Sequence, residues 1–165
     1  MKLYSLILIM LLSTIYPLFP TDVGEQSPQF VNLDLNNQHT YSRNILGQSW
    51  VILDFFATDC EPCQQELPQL ESLYEAYKER GLQVVVMVTD QEGAAAALPY
   101  FQQHPTALMV LLDRFQVTTG RFGVTEIPSV FLINPQGVIA LKCEGYSKQF
   151  IQRMRDLLNE NLPPE

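Results

Sequence analysis

Hydrophobic and polar positions divide the 165-residue chain into stretches with different periods. From Leu3 to about Phe19 almost every position is apolar, broken by Ser5, Ser13, Thr14 and Pro17, with Lys2 in front and no amphipathic period. That run reads as a secretory signal or a retained membrane anchor over residues 1–22. A small-x-small cleavage site is missing between Ser13 and Gly24, where Tyr16, Phe19 and Asp22 occupy the awkward positions. Both fates, cleavage and retention, stay open.

Beyond the leader the pattern predicts alternating strands and helices over residues 23–161, followed by a short Pro-rich tail at 162–165. Phe30, Val31, Leu33 and Leu35, then the turn-forming pair Asn36 and Asn37, then Thr40 and Tyr41, predict a hairpin ahead of the main sheet. Trp50 to Phe56, WVILDFF, is long enough and apolar enough for a strand buried on both faces. Cys63, Leu67, Leu70, Leu73, Tyr74 and Tyr77 keep helical spacing from Glu61 to Arg80, and Gly81 is placed to stop that helix. LQVVVMV is a second buried strand, Gly93 to Gln103 an Ala-rich helix, Leu108 to Leu112 a third strand, and Arg114 to Arg121 a short helical or turn segment. Ser129 to Ile133 and Val138 to Lys142 flank the turn NPQG as a hairpin. Phe150, Ile151, Met154, Leu157 and Leu158 form the apolar face of a last helix.

Charge narrows the range of functions. Ten Lys and Arg against eighteen Asp and Glu give a net charge of -8, and the basic residues are scattered, which argues against a nucleic-acid partner. Chemistry concentrates in FFATDCEPCQQELP, Phe55 to Pro68, where Cys60 and Cys63 lie three apart among Asp59, Glu61 and Glu66. Residues i and i+3 at a helix start are about 5 to 6 Å apart, within the reach of a disulfide that opens and closes without moving the fold. Cys60 would occupy the helix N-terminus, where free backbone N–H groups favour a thiolate, and Cys63 would sit one turn inside, buried and less acidic. That asymmetry assigns an attacking and a resolving thiol. Pro62 suits the opening turn, where its missing N–H costs nothing.

Metal and haem chemistry do not fit. Beyond the pair, a zinc site would have to draw on Cys143, His39 and His104 without a second Cys-x-x-Cys, and a c-type haem attachment needs His where Gln64 stands. A purely structural disulfide would close too small a loop to add much stability. No organic cofactor or metal is expected, because the dithiol itself carries two electrons.

WVILDFFATDCEPCQQELPQL, the segment FGVTEIPSVFLINPQGVI and the leading hairpin resemble the thioredoxin superfamily, in particular its exported TlpA/ResA-like thiol-disulfide oxidoreductases. The resemblance runs from about Gln29 to Leu158. It implies an α/β thioredoxin-like fold, a central mixed β-sheet flanked by helices with an N-terminal β-hairpin extension. It implies Cys60 as nucleophile, Cys63 as resolving thiol, and Pro128 as a cis-proline facing them after Ile127, with Ile127, Asp59, Glu61 and Pro62 bordering the client. Pro68 would kink the active-site helix. Asp54, six residues before Cys60, matches the buried acid of thioredoxin, and a carboxylate in so apolar a strand should have a raised pKa and take the proton of Cys63. The competing reading of Asp54 is a strand-edge residue satisfied by water or a local hydrogen bond. The resemblance further implies disulfide-bearing client proteins outside the cytoplasm, apocytochromes c awaiting haem among them, and electrons from a membrane thiol relay.

The sequence departs from the family in two places. Asp59 replaces the Trp common before the first Cys, and either Asp90 or Glu92 stands near the acid expected after the second core strand, with a helix cap as the plain alternative for Asp90. Cys143 reads as a small buried core residue. Three other functions compete with a reductase: a disulfide oxidase or isomerase, a redox-silent peptide-binding adaptor, and a peroxiredoxin-like peroxidase. The last needs Pro and Thr where Leu53 and Ala57 stand.

Overall fold

The computed structural model describes residues 21–163; the apolar run of the leader lies outside them. Seven strands, β1 (Val31–Asp34), β2 (His39–Tyr41), β3 (Trp50–Phe56), β4 (Leu82–Val88), β5 (Met109–Leu112), β6 (Ser129–Ile133) and β7 (Ile139–Glu144), alternate with helices α1 (Glu61–Tyr77), α2 (Ala94–Gln103), α3 (Val117–Arg121) and α4 (Lys148–Asn161). They form one mixed sheet in the order β2-β1-β5-β4-β3-β6-β7. β3, β4 and β5 are parallel, while β6 runs antiparallel to β3 and β1 antiparallel to β5. The leading hairpin extends the main sheet at one edge, because β1 pairs with β5.

WVILDFF occupies the middle of this sheet, and all seven of its residues are buried. Its period of two divides the core. Ile52, Asp54 and Phe56 look towards the face covered by α1, α2 and α4, with Leu70, Phe101 and Met154 packed there. Val51, Leu53 and Phe55 look the other way, onto Phe30, Ile45, the tilted ring of Phe122 and the edge-on ring of Phe131. Asp54 thus projects into the helix-covered face from a central strand, not from an edge.

Helix ends differ by a residue or a turn from the sequence pattern. α1 stops at Tyr77, and Lys78–Arg80 tighten into a 3-10 turn before Gly81, whose φ of 99° is a left-handed conformation that suits glycine. Pro68 lies within α1, where it has no N–H to donate to the carbonyl of Gln64. The hairpin strand β7 runs two residues further than expected, to Glu144, with a register shift at Leu132/Ile133. Thr21, assigned to the leader on sequence, is buried and donates its hydroxyl to the Arg121 carbonyl, while Lys142 Nζ donates to the Thr21 carbonyl. Residues 24–27 then run along β7: Gly24 N–H donates to Ile139 O, Ile139 N–H to Glu25 O, and Ser27 N–H to Gly137 O. Gly137 permits this approach, since a Cβ there would come within 2.5 Å of Gln26 Nε2. At the other end of the chain, Leu162 is buried and Arg80 holds the carbonyls of Leu162 and Pro163.

Asp113 fixes the connection from β5 to α3. Its buried carboxylate accepts from Thr118 N–H at 3.1 Å, Thr119 N–H at 2.7 Å and the Thr119 hydroxyl at 2.7 Å. Asp113→Ala strands two helix-terminal N–H groups and should cost about 2–4 kcal/mol in urea unfolding, with Asp113→Asn losing about half as much.

Candidate active site

The chain leaves β3 at Phe56 and begins α1 at Glu61, so four residues carry it from sheet to helix. Thr58 anchors that passage. Its N–H donates to Asp90 Oδ2 at 3.0 Å, its hydroxyl donates to Asp90 Oδ1 at 2.5 Å, and its carbonyl accepts from Gln64 Nε2 at 2.7 Å. Asp90 thereby ties the end of β4 to the loop before Cys60. It is not a cap, since Gly93 holds the N-cap position of α2. Glu92 is exposed.

Cys60 is the N-cap of α1, and its Sγ accepts from the N–H of Cys63 at 3.2 Å. A donor is therefore already aimed at the atom that would carry thiolate charge. Pro62 falls in the opening turn. Cys60 and Cys63 are joined in a disulfide with Cα atoms 5.3 Å apart. Cys60 remains partly exposed, whereas Cys63 is fully buried. Of the two, only Cys60 is open to solvent. Asp59 and Glu61, on either side of it, are exposed.

Two carboxyl groups lie beneath the pair. Asp54 has no solvent exposure, and neither of its oxygens has a hydrogen-bond partner. Burial, reinforced by the nearby Glu66 carboxylate, pushes its pKa well above the ordinary range. Glu66 is one helical turn after Cys63 and points inward with it; it is 1% exposed, and its Oε2 has no partner. Burial raises Glu66 from 4.5 to about 7. An acid tuned to neutrality, on the same helix face as a buried thiol, can accept or return a proton near pH 7.

The Ile127–Pro128 peptide bond is cis, and it precedes β6, the strand beside β3. Pro128 is buried and Ile127 partly exposed. The turn is backed by Gly145, whose N–H donates to the Pro128 carbonyl at 2.7 Å. Cross-strand register sets Asp54, Val130 and Cys143 side by side over β3, β6 and β7. Cys143 is thus a free, half-buried thiol on the active-site face, packed against the margin of the helix-covered core rather than fully inside it. Burial and Glu66 raise its pKa, with Arg153 opposing. Among the described residues no group of three or more His, Cys, Asp or Glu is arranged to hold a metal ion.

The model of the AhpC/TSA family matches residues 23–142. The thiol-disulfide oxidoreductase ResA of Bacillus thuringiensis (strain Al Hakam) is 30% identical over 153 residues, covering 87% of both chains. ResA of Bacillus subtilis (strain 168) is 30% identical over 122 residues, which is 74% of this chain and 67% of that one. The crystal structure of a Chlorobium tepidum protein assigned as thiol:disulfide interchange protein DsbE superposes with a TM-score of 0.78 at 27% identity, covering 85% of this chain and 97% of the other. The chain belongs to the AhpC/TSA family. It is a ResA-type thiol-disulfide oxidoreductase with a thioredoxin-like fold.

In this oxidoreductase, Leu53 and Ala57 are both buried beside the site, at the positions where the peroxidase pattern needs Pro and Thr. Glu66 is the residue that sequence reasoning passed over, counting it among the surrounding charges. The available signal was its spacing: Cys63, Glu66, Leu67 and Leu70 share one helical stripe, so an acid there faces the core.

Between pH 4.5 and about 7 the folded chain holds a proton on Glu66 that the unfolded chain has released. Stability therefore falls as pH rises through that window, by on the order of 3 kcal/mol. Glu66→Gln should match the wild type near pH 5 and exceed it by more than about 1 kcal/mol at pH 8, read from urea unfolding of the oxidised protein at both pH values.

Proposed function

We propose that this oxidoreductase is a reductase of protein disulfides outside the cytoplasm, with residues 1–20 as export signal or anchor and the working domain running from Thr21 through the buried Leu162. The observation that carries the direction of electron flow is the charge around the nucleophile. Asp59 and Glu61 flank Cys60, and no Lys or Arg occurs between Arg43 and Lys78. Each carboxylate beside a thiolate costs on the order of 1 kcal/mol when screened by solvent. Withholding stabilisation from the thiolate disfavours the dithiol relative to the disulfide and lowers the reduction potential, which makes a better electron donor.

In the reductive cycle, the Cys60 thiolate attacks a client disulfide and expels one client thiolate, forming a Cys60–client disulfide. Cys63 passes its proton to the ionised carboxyl of the Asp54–Glu66 pair and attacks Cys60 Sγ. The Cys60–Cys63 disulfide forms, and the second client sulfur leaves as thiolate. Two electrons reach the client, and an external dithiol restores the enzyme. Ile127 and Pro128 border the groove in which the client lies, with Asp59, Glu61 and Pro62 opposite. The family resemblance supports apocytochromes c as clients and a membrane thiol relay as the donor. No organic cofactor or metal enters this scheme.

Cys60→Ser should abolish disulfide reduction, whereas Cys63→Ser should accumulate a mixed disulfide through Cys60. Diagonal gels of the trapped material distinguish these outcomes, and trapping through Cys63 instead would reverse the assignment.

The reduction potential of the Cys60–Cys63 couple should lie nearer about -270 mV than about -120 mV. Changing Asp59 to Asn and Glu61 to Gln should raise it by roughly 10 to 30 mV per charge removed. Equilibration with glutathione buffers measures both, and a wild-type value above about -150 mV sinks the reductase reading in favour of an oxidase.

A further inference from the structure

The rim that carries Cys60 extends well beyond it. Parallel register aligns Phe56, Val88 and Leu112 at the ends of β3, β4 and β5, so the segments that follow these strands emerge side by side. Cys60 comes four residues after the first end, Asp90 two after the second, and Phe115 three after the third. Two strand spacings place the β5 segment about 10 Å sideways from the β3 segment.

On that flank the surface becomes apolar. Phe115 is 80% exposed, Val117 55% and Val31 50%, and Tyr41, in register with Val31 on β2, is 36% exposed. Four of the seven large apolar side chains exposed among the described residues thus fall in one strip. Val31, Phe115 and Val117 border a cavity of about 520 Å³ that reaches Gly93 at the start of α2. The strip is also built rigidly. Gln116 has a φ of 52°, its N–H donates to the Asp113 carbonyl at 2.7 Å, and Asp113 in turn caps α3. Arg114 is held by the Gln91 carbonyl at 2.8 Å, with its guanidinium 5.4 Å from the Phe115 ring centre. Scattered apolar side chains on a surface need no explanation, but a contiguous, stiffly held patch beside a reactive sulfur does.

We propose that this strip docks a folded thiol-bearing protein partner that carries cationic groups around its own cysteine. The partner's thiol chemistry follows from continuity with Cys60, and the inference rests on the reductase reading above. A protein interface of standard size covers about 800 Å² per partner, a disc about 30 Å across, and so includes both Cys60 and Phe115. A single extended peptide lying along Ile127 on the β6 side does not reach the β5 side. The cationic requirement comes from exposed acids at both points: Asp59 and Glu61 flank Cys60, and Glu92 borders the cavity beside Phe115, with Arg114 already engaged by its own neighbours. Phe115 supplies the aromatic anchor of the kind that dominates interface energies.

The test begins with the full chain carrying Cys63→Ser, expressed in its host, to collect the proteins trapped through Cys60. Those that contain a folded thiol domain are purified. Each is then mixed with full-length protein bearing the photocrosslinker p-benzoylphenylalanine at position 115 or, as control, at the exposed Gln136 in the β6–β7 turn, at the opposite end of the sheet from Cys60. Position 115 should cross-link to the trapped protein, and position 136 should not. Phe115→Ser and the Phe115→Ser/Val117→Ser double variant should slow dithiol exchange with that protein at least about tenfold in second-order rate, with the reduction potential of the Cys60–Cys63 couple unchanged. Cross-linking from position 115 only to lipid or to a second copy of this chain overturns the proposal. So does a rate within about twofold of wild type, or the absence of any folded species among the trapped proteins. If nothing at all is trapped through Cys60, the reductase reading fails first and the docking surface falls with it.

Discussion

The site depends on how firmly the passage from β3 to α1 is held. β3 itself cannot shift, being buried along its whole length between two strands. The residues that follow it would be free to move but for Thr58, which Asp90 grips from the end of β4 and Gln64 from within α1. One threonine thus joins sheet, loop and helix. It keeps Cys60 at the helix terminus with the Cys63 N–H in line with its sulfur. The acidic neighbours act against that same donor, so the reactivity of the exposed sulfur is a balance between a backbone dipole and side-chain charge.

The paired carboxyls pose a different energetic problem. Asp54 and Glu66 leave three buried oxygens without hydrogen-bond partners, a cost that stability alone would select against. Removing both from water makes the neutral forms preferable. Their mutual repulsion then ensures that the second proton leaves only reluctantly. Such a pair suits a reaction in which a buried thiol must lose a proton without direct access to water.

Most of the architecture was legible because the signals were long and consistent. WVILDFF and LQVVVMV are too uniformly apolar for anything but central strands, and the spacing from Cys63 to Tyr77 fits only a helix. The thiol pair and the proline turn were visible as short motifs. Asp54 was legible as an anomaly, a charge in an apolar strand, although one reading placed it at an edge. Where the sequence fell short, the missing information was three-dimensional. Glu66 looks like one more acid in an acidic stretch until the helix is rotated to bury Cys63. Asp90 was read as a cap or an active-site acid because its partner, Thr58, is 32 residues away. Cys143 resembled core filler, and only the register of β3, β6 and β7 brings it level with Asp54. Thr21 looked like part of the leader because nothing local shows that it bonds to residues a hundred or more positions later.

The pairing of residues 24–27 with β7 matters beyond local order. A protein that exchanges disulfides with other chains is exposed to capture along any open sheet edge, where unpaired N–H and C=O groups template further strands. Here one edge is β2, only three residues long, and the outer side of β7 is occupied at Gly137 and Ile139 by the chain's own preceding segment. Beyond that cover, β7 carries Lys142 and Glu144, an ion pair at 3.2 Å, along the stretch that stays open. Both margins of the sheet are therefore guarded against strand addition, a protection against aggregation that owes nothing to the thiol pair.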